Sequence, residues 1–192
     1  MAESRVAADA VEFLCHDVFY ILLDLIVVEL DSRLHLRFVR CVVPEVGNQR
    51  DRLVGGVVGA QWGGSITGCS SSATVKGTVD VGGVAGQTNS NATMTACYAT
   101  GNVTSTGSST VNVYIGGFCG YNSTTVTACY WKNNKEQGIG YNKVGTDTEV
   151  TKVDGTDVTW QKAVDAMNTA LQNAGSEWRY ELTGALPTLR KQ

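Results

Sequence analysis

Between residues 54 and 131 the chain has neither histidine nor arginine, one lysine, Lys76, and one carboxylate, Asp80. Hydrolysis of a glycoside needs a pair of carboxylates and a lyase needs basic groups, so this segment lacks the means for either. There is no HExxH run at His16 or His35, no GxSxG elbow and no glycine-rich phosphate loop, which argues against zinc peptidase, serine hydrolase and nucleotide-binding chemistry. Cys119, beside Gly120, has no histidine in the segment to activate it and reads as a packed thiol. Zinc needs four converging ligands, and neither CxxC pairs nor histidines occur here, so neither metal nor cofactor is expected. The expectation is a protein that is not an enzyme.

Other absences divide the chain. No glycine precedes Gly47, although there are 22 in all, and no lysine precedes Lys76. The first 52 residues use arginine instead, at Arg5, Arg33, Arg37, Arg40, Arg50 and Arg52. Two segments of different composition therefore meet near residue 50. A net charge of -3 with thinly spread basic residues gives no field that would track phosphates, so nucleic acid is not an expected partner. Residues 18–28 are apolar apart from Asp24, but they fall short of the roughly 20 residues a membrane span needs. Glu3, Asp9 and Glu12 stand where a secretion signal would be basic.

The first segment, residues 1–50, reads as helix then strand. Val6, Ala10, Val11 and Leu14 recur at helical spacing, and Leu34, Leu36 and Phe38 alternate. It is either a hydrophobic cap over the open end of a solenoid formed by the next segment or a stretch not native to the protein.

From residue 54 the chain is repetitive. Val54-Gly55-Gly56-Val57-Val58-Gly59, Val81-Gly82-Gly83-Val84-Ala85-Gly86 and Ile115-Gly116-Gly117-Phe118-Cys119-Gly120 echo one another. Each precedes a short run ending in cysteine: Ile66-Thr67-Gly68-Cys69, Met94-Thr95-Ala96-Cys97 and Val126-Thr127-Ala128-Cys129. Self-similarity at this period is the mark of a solenoid, here mainly β: a right-handed parallel β-solenoid-like stack of about three coils over residues 54–131. The glycine pairs Gly55-Gly56, Gly82-Gly83 and Gly116-Gly117 suit corners with positive φ or a close approach to the next coil. Ile66, Met94 and Val126 stand three places before their cysteines, out of phase with alternation, so a bend is expected between. Extra Ser/Thr-rich residues at 105–110 read as a loop insertion in the second coil.

Equivalent positions in stacked coils lie about 4.8 Å apart, so Cys69, Cys97 and Cys129 are expected to form one buried thiol column rather than bridges. Residues 132–192 read as a polar connector and a C-terminal helix-strand cap. Trp160, Val164, Met167 and Leu171 recur at helical spacing, with Thr159 or Asp157 as N-cap and Gly175 as stop. Trp178, Tyr180 and Leu182 then share a strand face that Pro187 ends. Asp147, Glu149, Asp154 and Asp157 fit no EF-hand spacing and read as a solvated connector. The triplets at Asn91, Asn102 and Asn122 match a glycosylation pattern that Ser/Thr/Asn-rich strands generate by chance.

The pattern Val-Gly-Gly-Val-Ala-Gly, then Met94-Thr95-Ala96-Cys97-Tyr98-Ala99-Thr100-Gly101-Asn102-Val103, then Ile-Gly-Gly-Phe-Cys-Gly-Tyr-Asn, resembles the GLUG-motif repeat of bacterial secreted and cell-surface proteins. The resemblance covers residues 54–131, and the tail from residue 160 through Leu186-Pro187-Thr188-Leu189 is similar to segments that end such proteins. It implies a β-solenoid, as in surface adhesins, an extracellular or cell-surface location, and no catalytic residue.

The expected function is a non-catalytic structural or adhesive module that binds extracellular glycan or protein weakly. The alternative is a fragment of a β-helical carbohydrate-active enzyme or of a larger exported peptidase. Tyr98, Tyr121, Tyr130 and Trp131, at the ends of successive coils, are the candidate binding strip, in competition with core and corner packing.

Overall fold

The computed structural model describes residues 52–107, 112–144 and 150–192, together with the backbone of His35 and Leu36. The helical reading of Val6 to Leu14 and the cap reading of residues 1–50 lie outside the described residues. The strand reading there meets β1 (His35–Leu36).

Three turns of chain come next. The first coil holds β2 (Leu53–Gly55), β3 (Val58–Gln61), β4 (Gly64–Thr67), β5 (Ser70–Ser71) and β6 (Val75–Gly77). The second holds β7 (Asp80–Gly82), β8 (Ala85–Thr88), β9 (Ala92–Thr95), β10 (Tyr98–Ala99) and β11 (Val103–Ser105). The third holds β12 (Tyr114–Gly116), β13 (Cys119–Asn122), β14 (Thr125–Thr127) and β15 (Cys129–Trp131). A partial fourth coil adds β16 (Ile139–Asn142) and β17 (Val150–Lys152). Equivalent strands pair in parallel, giving the stacks β2-β7-β12, β3-β8-β13-β16, β1-β4-β9-β14, β5-β10-β15-β17 and β6-β11. This is a β-solenoid-like stack of parallel strands.

Side chains that face inward repeat the coil. Ile66 pairs with Met94 and Met94 with Val126, and all three are buried in one cluster with Cys69, Cys97 and Cys129. A second interior cluster joins Val75, Val81 and Val103. The bend between each apolar residue and its cysteine is a left-handed residue: Gly68 (φ 66°), Ala96 (φ 55°) and Ala128 (φ 49°). It turns the chain from β4, β9 and β14 into β5, β10 and β15 and resets the phase so that both ends face inward.

The glycine pairs work by close approach alone. Among the described glycines positive φ occurs at Gly64, Gly68, Gly155 and Gly175, and at none of Gly55, Gly56, Gly82, Gly83, Gly116 or Gly117. A Cβ on Gly83 would stand 2.5 Å from the Cβ of Ala99, and one on Gly82 2.6 Å from the Cα of Cys119. Of the two alternatives expected at these corners, positive φ or close approach to the next coil, the structure shows the second.

The helix α1 (Trp160–Asn173) starts at Thr159, whose hydroxyl accepts from the Lys162 N–H at 3.3 Å, and Gly175 (φ 67°) lies just past its end. β18 (Trp178–Glu181) and β19 (Thr188–Lys191) close as an antiparallel hairpin. These elements do not sit over the end of the stack, where a cap would lie. They cover its flank: Trp160, Ala163, Val164, Met167 and Leu171 pack with Ala96 and Tyr98 of the second coil and Ala128 and Tyr130 of the third. A Cβ on Gly68, in the first coil, would meet Leu189 and Leu171. The flank is apolar because residues alternating with the inward Cys97 and Cys129 face outward there, and those residues are tyrosines.

Candidate functional site

The alternation that places Cys97 and Cys129 inside decides the fate of the expected strip. Tyr98 and Tyr130 face the flank and are covered by α1 and the hairpin. Tyr98 packs edge-on against Trp160 at 5.1 Å and Tyr180 at 5.8 Å, and its hydroxyl donates to the Pro187 carbonyl at 2.6 Å. Burial pushes the Tyr98 hydroxyl above its usual range, which keeps it a donor. Trp131 returns to the interior phase and closes the stack against Gly117 and Gly138, donating its indole N–H to the Lys135 carbonyl at 3.1 Å. Tyr98, Tyr130 and Trp131 therefore do not share an exposed strip with Tyr121, because each is covered by protein.

Tyr121 belongs to a different cluster. It is in register with Tyr141 on β16, and the two rings stack at 5.2 Å with an interplanar angle of 24°. Tyr114, from β12, tilts against both, 5.6 Å from Tyr121 and 4.9 Å from Tyr141. Gly140 makes this possible: a Cβ there would stand 2.7 Å from the carbonyl carbon of Tyr114, so only a bare backbone lets β16 come this close to β12. Tyr141 is 44% exposed and the other two are half-buried. Sequence reasoning missed Tyr114 and did not place Tyr141 in the strip. The signal was present, since Ile139-Gly140-Tyr141-Asn142 echoes Cys119-Gly120-Tyr121-Asn122 and Tyr114 precedes Gly116 as Asp80 precedes Gly82.

One coil earlier, polar residues occupy the same register. Gln87 pairs with Tyr121, and Asp80 pairs with Tyr114. Asp80 is buried, and its Oδ1 has no hydrogen-bond partner. Loss of solvation pushes its carboxyl up to about 6, against the opposing pull of Arg52.

The thiols are arranged for packing. The Cys69 N–H approaches the Cys97 sulfur at 3.4 Å, and the Cys97 N–H approaches the Cys129 sulfur at 3.3 Å. Cys69, Cys97, Cys119 and Cys129 are all buried and none is bridged. Burial pushes the Cys119 and Cys129 thiols above their ordinary range, which suppresses the thiolate that nucleophilic chemistry requires. Among the described residues no group of three or more His, Cys, Asp or Glu side chains is placed to hold a metal ion. Asp154 is used locally, accepting from the N–H groups of Thr156 and Val158 at 2.8 and 3.0 Å. Asn122, in one of the glycosylation-like triplets, is buried and bonded to Thr88 and Asn142.

The family profile of the GLUG motif matches residues 51–76, the span of the first coil. The first coil thus carries a GLUG motif. No curated protein and no solved structure matches the chain. The GLUG coil is here a five-strand turn, β2 to β6, that repeats as β7 to β11. Its glycine pair permits the coil-to-coil approach, and its cysteine fills the interior column. Among the described residues no helix is long and apolar enough to cross a membrane.

Proposed function

We propose that this protein is a non-catalytic structural and adhesive module of a cell-surface or secreted protein, and that it binds glycan weakly through Tyr114, Tyr121 and Tyr141. The observation that carries the reading is the three-ring cluster itself, partly exposed on a rigid stack. Aromatic rings recognise the apolar faces of sugars without charge, and Gln87 beside Tyr121 adds an amide for hydroxyls. The GLUG motif and the scarcity of acid-base groups in residues 54–131 support a role in display rather than turnover.

Asp80 is the group that an enzyme reading would use, since a carboxyl near 6 suits a general acid. It is the only carboxylate between residues 54 and 131, and its Oδ1 is shielded from solvent. A glycan array probed with the purified chain tests both readings. The expected result is binding that Tyr121→Ala and Tyr141→Ala each weaken about tenfold while Trp62→Ala, at a separate exposed ring, leaves it unchanged. Binding indifferent to both tyrosines would sink the site, and polysaccharide cleavage lost in Asp80→Asn would replace the module with an enzyme.

A further inference from the structure

The sheet that contains β4, β9 and β14 carries a second regular surface, one corner of the coil away from the tyrosines. Its inward positions are Ile66, Met94 and Val126, in register and buried. Alternation sends the residues on either side of each outward. One outward column is Ser65, Thr93 and Thr125, and the other is Thr67, Thr95 and Thr127. Thr93 and Thr125 are exposed, and Ser65 is half-buried. The second column is half-buried because it runs beside the flank under α1 and the hairpin, where Ala96 and Ala128 follow Thr95 and Thr127. No residue of these three strands is charged. Protein surfaces are ordinarily kept soluble by interspersed charge, so a hydroxyl face without any, repeated through three coils, is suited to a neutral partner.

The array is regular and stiff. In-register parallel strands lie about 4.8 Å apart and alternate residues along a strand about 6.6 Å apart, so the outward side chains form a rectangular mesh. Its backbone is pinned from inside. The carbonyls of Thr67, Thr95 and Thr127 accept from the thiols of Cys69, Cys97 and Cys129 at 3.7, 3.3 and 3.4 Å, and those of Thr95 and Thr127 also accept the N–H groups of Gly68 and Ala96 at 3.0 and 2.9 Å. The side chains are held as well: threonine is stiff at χ1, and the Thr93 hydroxyl donates to Ser65 Oγ at 2.8 Å. Each threonine thus presents one hydroxyl and one methyl group at a fixed place.

We infer that this face binds ice. The oxygen atoms of ice repeat in two dimensions on the scale of the mesh, so the hydroxyls take lattice positions while the methyl groups order the water between the rows. The lattice is uncharged, as the face is. Single contacts of this kind are weak, and a stiff array gains affinity because little has to be ordered when it meets the crystal. A flexible polymer in solution offers no matching two-dimensional repeat. The tyrosine cluster lies on other strands, β12, β13 and β16, so the inference stands apart from the glycan reading.

Ice recrystallisation in a frozen sucrose solution of the full chain tests this, with crystal habit read in the same samples. The expected result is slower coarsening than with serum albumin at the same concentration, and faceted rather than rounded crystals. Thr93→Tyr and Thr125→Tyr each place a ring in the mesh at an exposed strand position that tyrosine suits. Each is expected to raise the concentration needed for inhibition about tenfold with little change in melting temperature. Tyr121→Ala, which weakens the glycan site, is expected to leave ice binding unchanged, so the two readings fail separately. Coarsening as fast as with albumin, rounded crystals at every concentration, or full inhibition by the folded Thr125→Tyr variant would overturn the inference.

Discussion

The backbone N–H of Cys97 points at the sulfur of Cys129, 3.3 Å away and one coil on. The same contact links Cys69 to Cys97, and each thiol donates back to the carbonyl two residues before it: Thr67, Thr95 and Thr127. The column is thus built from buried thiols that pack as small side chains, with weak polar contacts of their own. Alkylation mapped by mass spectrometry should leave Cys69, Cys97, Cys119 and Cys129 unlabelled in the native protein and label them all in denaturant. Native labelling of any of the four at the denatured rate would contradict the column.

Close approach at the glycine pairs predicts a position-specific cost. Gly83→Val must push a branched side chain into the Cβ of Ala99 and the third-coil backbone, which costs of order 1–3 kcal/mol or more. For a chain of this length that corresponds to a fall in melting temperature of up to about 10 °C. Gly184→Ala meets nothing within 4 Å and is the matched control. Equal melting temperatures for the two variants would remove the close-approach account.

How much of this was legible depends on what a sequence period encodes. Recurrence of glycine pair and cysteine set the coils, and the phase break between Met94 and Cys97 located the bend that the fold places at Ala96. The period also fixes which residues face outward, but not what lies against them. Tyr98 and Tyr130 were therefore assignable to the outer face, while their burial depends on α1 and the hairpin, distant elements of the chain. Trp131 was open to a better reading, because it shares the phase of Cys129. The fourth coil was obscured by its lack of a glycine pair and a cysteine: Ile139 and Val150 hold the positions of Cys119 and Cys129. Without that coil the tyrosine cluster has no Tyr141.

The flank contact should be energetically substantial. Met167 is fully buried against the outward face of the coils, so Met167→Ala is expected to cost about 2–5 kcal/mol. Tyr98→Phe, which strands the Pro187 carbonyl, should cost about 1 kcal/mol. Denaturant titrations measure both. Stability unchanged in Met167→Ala would mean that α1 is only loosely docked.

Asp80 gives the protein a pH dependence whose sign can be worked out. Its carboxyl sits at about 6 in the fold against an ordinary 3.8, because burial disfavours the anion more than Arg52 favours it. The folded state therefore binds more protons than the unfolded chain between those two values. Stability from this group is full below about 3.8, falls as pH rises, and is lost above about 6. The difference of roughly two units corresponds to at most about 3 kcal/mol, and less to the extent that solvent and Arg52 screen the anion. Asp80→Asn keeps the shape and cannot ionise, so it should be more stable than the parent at about pH 8 and nearly equal to it at about pH 4. Unfolding free energies at the two pH values decide the matter. A variant equally destabilised at both would show that Asp80 holds the corner through its charge, contrary to the burial account.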